Sequence, residues 1–221
     1  MDGDSPSKMM SGFITMLGGQ WATYAIAILT TAYITRALGP GDYAKFIQMQ
    51  FLVAIFTAVF GLSIPSAVSR YAAEHAARGE ATRATGVLRT GLKVTIATGA
   101  ASMAVMFLMS KPIASIVIGD SQATGLIDLL AISTGIAVAV SPLSSYVYGL
   151  QKFRAYILIS LFSFAFLRTG LVVALFLGKG LYGLSFAWLV VNIVSSLAIA
   201  IPILRMAGKA ETYPLLHLFS Y

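Results

Sequence analysis

Apolar runs long enough to cross a bilayer alternate with short polar connections along the whole chain. Read against the requirement of about 20 apolar residues per crossing, the pattern predicts six helical spans, near residues 12–33, 46–67, 91–109, 125–146, 156–177 and 181–204. The polar start "MDGDSPSK" precedes an apolar stretch well beyond the about 7 to 15 residues of a signal-peptide core, so the first span is expected to stay in the mature protein. A shorter apolar piece, "PIASIVIG" at 112–119, is too brief to span and is expected to end the third helix or lie along the membrane surface. Pro65 and Pro142 are read as kink or terminus positions. Small residues four apart (Gly18 and Ala22, Ala97 and Ala101, Gly135 and Ala139, Gly183 and Ala187) predict close helix packing.

Two connections carry local signals. "ALGPGDYAKF" at 37–46 predicts a chain-reversing turn at Pro40 and Gly41, with Asp42 placed to cap the helix that follows. The longest connection, "RYAAEHAARGEATRATGVLR" at 70–89, spaces Arg70, Glu74 and Arg78 by four, which supports a solvated helix through alternating charges. His75, within it, has no neighbouring ligand in sequence and reads as part of that solvated segment.

Composition then fixes the class. Hydrophobic residues make up 58% and charged residues 10% of the chain, against about 25% charged in ordinary soluble domains. Mean hydropathy is +0.85. The fold class expected is an all-α integral membrane bundle of about six helices. No cysteine is present, which excludes disulfides, thiolate metal sites and cysteine nucleophiles. The net charge of +7 is parcelled between apolar segments instead of being gathered on one soluble face, so nucleic acid is not an expected partner. The charge reads instead as topology. Ten lysines and arginines fall in connections on the amino-terminal side and four on the other, which predicts both termini in the cytoplasm.

One charge does not fit that scheme. Arg168 stands inside "SFAFLRTGLVVALF" with Phe164, Ala165, Leu171 and Val172 as its helical neighbours. A guanidinium stays protonated at any accessible pH, and a cation at mid-bilayer depth costs at least ~2.5 kcal/mol. At ~1.5 Å per residue it lies roughly 18 Å from one end of its predicted span and roughly 14 Å from the other. Side chains lean toward a helix's amino terminus, so Arg168 leans along the longer way out. Relief must come from another helix or from water. Asp128 is the sole acidic residue inside any predicted span and is a possible charge partner. A water-filled cavity in which Arg168 meets an anionic substrate is the other reading. Gln20, Tyr24, Gln48 and Asn192 are candidates to line that cavity as uncharged donors.

The segments "RALGPGDYAKF", "GLSIPSAVSRYAAEHAARGE", "VYGLQKFRAYILIS" with Arg168, and "LGKGLYGLSFAWL" resemble, in this order, the amino-terminal half of the Wzx-type polysaccharide or lipid-linked oligosaccharide flippases. These belong to the multidrug, oligosaccharidyl-lipid and polysaccharide exporter superfamily. The resemblance implies one six-helix lobe, residues 1–210, of a two-lobe alternating-access carrier, with 211–221 opening the linker to a second lobe. It implies a lipid-diphosphate-linked glycan as cargo, the cytoplasmic membrane as location, and membrane lipids and a second lobe or homodimer as partners. A cation-coupled multidrug exporter lobe, and a non-transporting scaffold or truncated remnant, are the alternatives. Drug exporters favour an embedded carboxylate, whereas a diphosphate calls for a buried cation. An enzyme is not expected, and neither is a cofactor or metal. The sequence holds no His and Glu pair at ligand spacing, no serine with a nearby histidine base in a span, and no glycine-rich phosphate loop.

Overall fold

A computed structural model describes residues 6–178 and 180–206, and every regular element among them is helical. Residues 211–221, where a linker is expected, lie outside the described residues, as does Lys179. The helices are α1 (Pro6–Gly61), α2 (Ile64–Ala77), α3 (Ala81–Leu108), α4 (Thr124–Gly149), α5 (Phe153–Phe176) and α6 (Gly180–Met206). Five helices are long and apolar enough to cross a membrane, the first being Leu17–Gly61 at 45 residues. At ~1.5 Å per residue that helix is about twice the ~30 Å of a hydrocarbon core, so it cannot cross once and straight.

It breaks at Gly39, whose φ of 73° and ψ of 171° lie outside the helical region. The turn expected over 37–46 is thus compressed to one residue. The reason is local: glycine takes the left-handed φ without strain, and Pro40, already fixed near helical φ and lacking an amide hydrogen, starts the next helix at once. The two arms then run in opposite directions. In the first, Gly19 meets Ile157 and Thr31 meets Arg168, so this arm is parallel to α5. In the second, Met49 and Leu52 join a core with Met106, Leu126 and Ile127. Farther along, Ile64 and Val68 pack at Gly91 beside Pro142, so the chain descends along α4.

This descent corrects the second and third spans. The second does not end near 67: after left-handed Leu62 and Ser63, α2 carries it on to Ala77, with Pro65 in its first turn. The third begins at Ala81, ten residues before the expected start. The polar connection shrinks to a tight turn because its small and apolar residues are in helical register: Ala72, Ala84, Val87 and Leu88 all bury in one cluster with Leu143 and Tyr146. Arg78 and Glu74 form the expected pair at 2.7 Å. His75 is not solvated. It is 8% exposed and its Nδ1 lies 2.7 Å from Glu80 Oε2.

Pro112 and the π-helical turn Ile113–Ile118 close the end of α3. Ile113, Ala114 and Ile118 bury against Met49 and Leu126, whereas Ile116 is 81% exposed, which fits a piece lying over the bundle end. The remaining helices follow their expected spans to within a few residues, with Pro142 inside α4 and not at its end.

In lipid the hydrophobic effect does not draw helices together, so close packing and interhelical hydrogen bonds must. The seam of α3 and α4 shows both. A Cβ on Gly99 would lie 2.5 Å from the Gly135 carbonyl oxygen and 3.2 Å from the Ala139 nitrogen. Thr95 Oγ1 donates to the Ala139 carbonyl at 2.9 Å. Of the small pairs in the sequence, Gly135 and Ala139 serve this seam; Ala97 and Ala101 point away from it and are exposed. Gly99→Val should therefore lower detergent-state thermal stability by about 1–3 kcal/mol, while Gly18→Val, with nothing within 4 Å of its Cβ position, stays near wild type. Equal unfolding temperatures for the two variants would rule the seam out as a main contact.

Candidate functional site

Two ends of the bundle are pinned by charge, and the site lies between them. At one end Lys45 Nζ meets Asp120 Oδ2 at 2.8 Å, tying the second arm of α1 to the turn before α4. The Lys45 ammonium, then the backbone N–H of Gln122, hold the Asp120 carboxyl below its ordinary 3.8. At the other end Glu80 accepts from His75 and Arg83, and the His75 bond first, with Arg83 assisting, holds its carboxyl below 4.5. Depressed carboxyls stabilise the fold above their ordinary values, and that contribution is lost as pH falls through the lowered ones.

Arg168 sits on α5, nearer the Asp120 end, and is partly buried. Its Nη1 donates to Thr31 Oγ1 on the first arm of α1 at 3.5 Å, the outer limit of a hydrogen bond. Its Cζ lies 5.1 Å from the centre of the Phe164 ring, one turn back on its own helix. Such cation–π contacts stabilise a cation without neutralising it. Among the described residues no carboxylate comes within ion-pair distance of it. A guanidinium has five N–H donors, so most of its bonding capacity remains for a ligand.

Asp128 does not supply the missing partner. It lies on α4 with Oδ1 buried and without a hydrogen-bond partner, and the structure does not join it to Arg168. The pairing open in the sequence is not formed here.

The uncharged candidates separate. Gln20 lines a cavity of about 450 Å³ with Thr23, Tyr148, Tyr156 and Ser160, where the first arm of α1 meets α5 and the end of α4. Asn192 lines a second cavity of about 310 Å³ between α5 and α6, with Ser160, Ser163, Phe164 and Ser195, and donates to the Trp188 carbonyl at 3.0 Å. Ser160 belongs to both cavities. Tyr24 and Gln48 line neither; both are exposed, Tyr24 with its ring edge-on to Trp21 at 6.3 Å. Sequence reasoning missed Thr31 and the serines. Their signal was present: Ser160 and Ser163 share the face of α5 that leads to Phe164 and Leu167, in a helix otherwise almost wholly apolar.

A family model described as "Polysaccharide biosynthesis protein" matches residues 9–219. The chain belongs to that family. No curated protein and no solved structure matches it. Membership of the polysaccharide biosynthesis family, together with five helices of membrane-crossing length, makes this a multi-pass membrane protein with a role in polysaccharide biosynthesis. The family match spans α1 to α6, so Arg168 lies well inside the region that defines the family assignment.

The absence of an ion pair gives a quantitative expectation. In a double-mutant cycle of Arg168→Gln and Asp128→Asn, thermal stabilities should add, with a coupling under about 0.5 kcal/mol. Destabilised single variants rescued in the double variant would show that the two charges are paired.

Proposed function

We propose that this chain is one lobe of a carrier that moves a lipid-diphosphate-linked oligosaccharide across the cytoplasmic membrane by alternating access. The observation that carries the reading is the Arg168 guanidinium, held deep in an apolar helix by one long hydroxyl contact and an aromatic face and left without a carboxylate. A diphosphate supplies what that group lacks, since guanidinium grips phosphate through two parallel hydrogen bonds. The family's role in polysaccharide biosynthesis and the resemblance to Wzx-type flippases support the same cargo. In this reading the protein is not an enzyme. Both termini face the cytoplasm, and a second lobe or a second copy supplies the opposing wall of the cavity.

Asp128 favours a second reading. Its buried, unpartnered Oδ1 is what a cation-coupled exporter would use, and there transport would depend on an added monovalent cation and lose that dependence in Asp128→Asn.

In cells supplying the second half, Arg168→Lys should keep part of glycolipid transport, whereas Arg168→Gln should lose about tenfold or more while remaining folded. Wild-type transport by Arg168→Gln, or transport lost only together with the fold, refutes the phosphate role. The cysteine-free sequence also reports orientation. An impermeant thiol reagent applied to intact cells should label Ser121→Cys and spare Ser7→Cys; the reverse pattern inverts the topology.

A further inference from the structure

Four paths of the chain into one apolar cluster each carry a point where a helix is weak. Between α1 and α2 the chain breaks at Leu62 and Ser63, with φ of 49° and 55°. The left-handed region is strained for side chains other than glycine, and leucine there is a true outlier. The neighbouring Gly61 stays in the helix and takes none of that strain. In α4, Pro142 removes the amide hydrogen that the Val138 carbonyl would accept, and the Ser141 hydroxyl donates to that carbonyl instead, at 2.8 Å. α6 carries Pro202, and α3 carries Gly91, a residue type second only to proline in weakening a helix interior.

These points adjoin. A Cβ on Gly91 would lie 3.5 Å from Ile64, the first residue past the break, and 3.8 Å from Pro142. They also bound the cluster. Its buried members begin at Ile64 on α2, end at Leu88 on α3, begin at Leu143 on α4 and include Ile203 on α6, so each lies just beyond the weak point of its own helix. None of them belongs to the cluster at the other end, built around Met106, Leu126 and Ile127. α5 carries neither proline nor break and reaches the first cluster only at its edge, with Tyr156 and Ile159.

We propose that this end of the bundle is a body that swings about the layer of Leu62, Gly91 and Pro142 while the far end stays in place. Straightened, α1 and α2 would run on as one helix with Leu62 and Ser63 in the ordinary right-handed region. The strain of the bent form favours that change, and the packing of Ile64 and Val68 at Gly91 opposes it. Packed elements opposed in this way have two discrete arrangements and do not deform continuously. The polar bond that crosses the layer also has an alternative. Thr95 Oγ1 has a single hydrogen and three carbonyls in reach, Ala139 of α4 at 2.9 Å and Gly91 and Leu92 of its own helix at 3.1 and 3.3 Å. Turning to its own helix, Thr95 releases α4 without leaving a buried hydroxyl unbonded. Such a swing would serve any cargo, so it stands apart from the assignment of a glycolipid.

The cysteine-free chain allows spin labels to be placed in pairs. Ala77→Cys on the swinging end and Leu158→Cys on α5 occupy exposed positions and report the motion; Phe51→Cys and Ile96→Cys, both beyond the layer, are the control pair. In the whole chain in lipid nanodiscs, pulsed spin-label distances for the first pair should form two populations and those for the control pair one. Leu62→Gly removes the strain of the bent form and should raise its share over the straight form by about tenfold. Pro142→Ala returns an amide hydrogen to the Val138 carbonyl and should shift the same distance the opposite way. A distance that neither variant moves, a response to only one of them or in one shared direction, or a shift of both label pairs together overturns the proposal. Where a variant fails to fold, Ser63→Gly replaces the first and Pro142→Leu the second under the same criteria.

Discussion

The contact of α3 with α4 at Gly99 and Gly135 sets the distances on which the remaining helices depend. In hydrocarbon neither helix gains by hiding apolar surface from the other, so the backbones must come close enough for dispersion and a Thr95 to Ala139 hydrogen bond to hold them. With these two helices fixed, the second arm of α1 and α2 descend along them. At the other flank Ile34, Phe46, Leu171 and Leu184 join the hinge of α1 to α5 and α6.

That arrangement leaves α5 between a closely packed centre and a loosely covered arm. Few residues of the first arm are buried, and it reaches Arg168 with one threonine hydroxyl. The guanidinium is consequently restrained in position and only weakly satisfied, as the phosphate role proposed for it requires. Its position in a helix of high hydropathy adds an energetic penalty that a purely structural part could avoid with leucine.

Much of this was legible in the chain itself. Length and apolarity alone located α4, α5 and α6 to within a few residues, because a bilayer imposes both. What the hydropathy pattern hid was at 62–90, where polar residues sit on the outer face of helices whose inner face is Ala72, Ala84, Val87 and Leu88. A window average cannot separate the two faces, so a helix pair reads as a loop. His75 was misread for the same reason. The hinge was located but made too long, since Gly39 followed by Pro40 needs no loop. At the site, the charge at Arg168 was visible and its isolation was not: whether Asp128 reached it depended on how α4 and α5 are rotated, which no spacing within one helix encodes. Ser102, Ser133, Ser163 and Ser195 were passed over because serine in a membrane helix normally satisfies itself, and only the geometry shows that the buried hydroxyls of these four have no protein partner.

The account turns on whether an unpaired guanidinium in this bundle is available to phosphate. The direct measurement is the affinity of the purified chain for farnesyl diphosphate and for farnesol, compared between wild type and Arg168→Gln. Loss of a charge-assisted bond predicts an affinity for the diphosphate lower by about tenfold to a hundredfold in the variant, with farnesol binding unchanged. Equal affinity of both proteins for the diphosphate would contradict it.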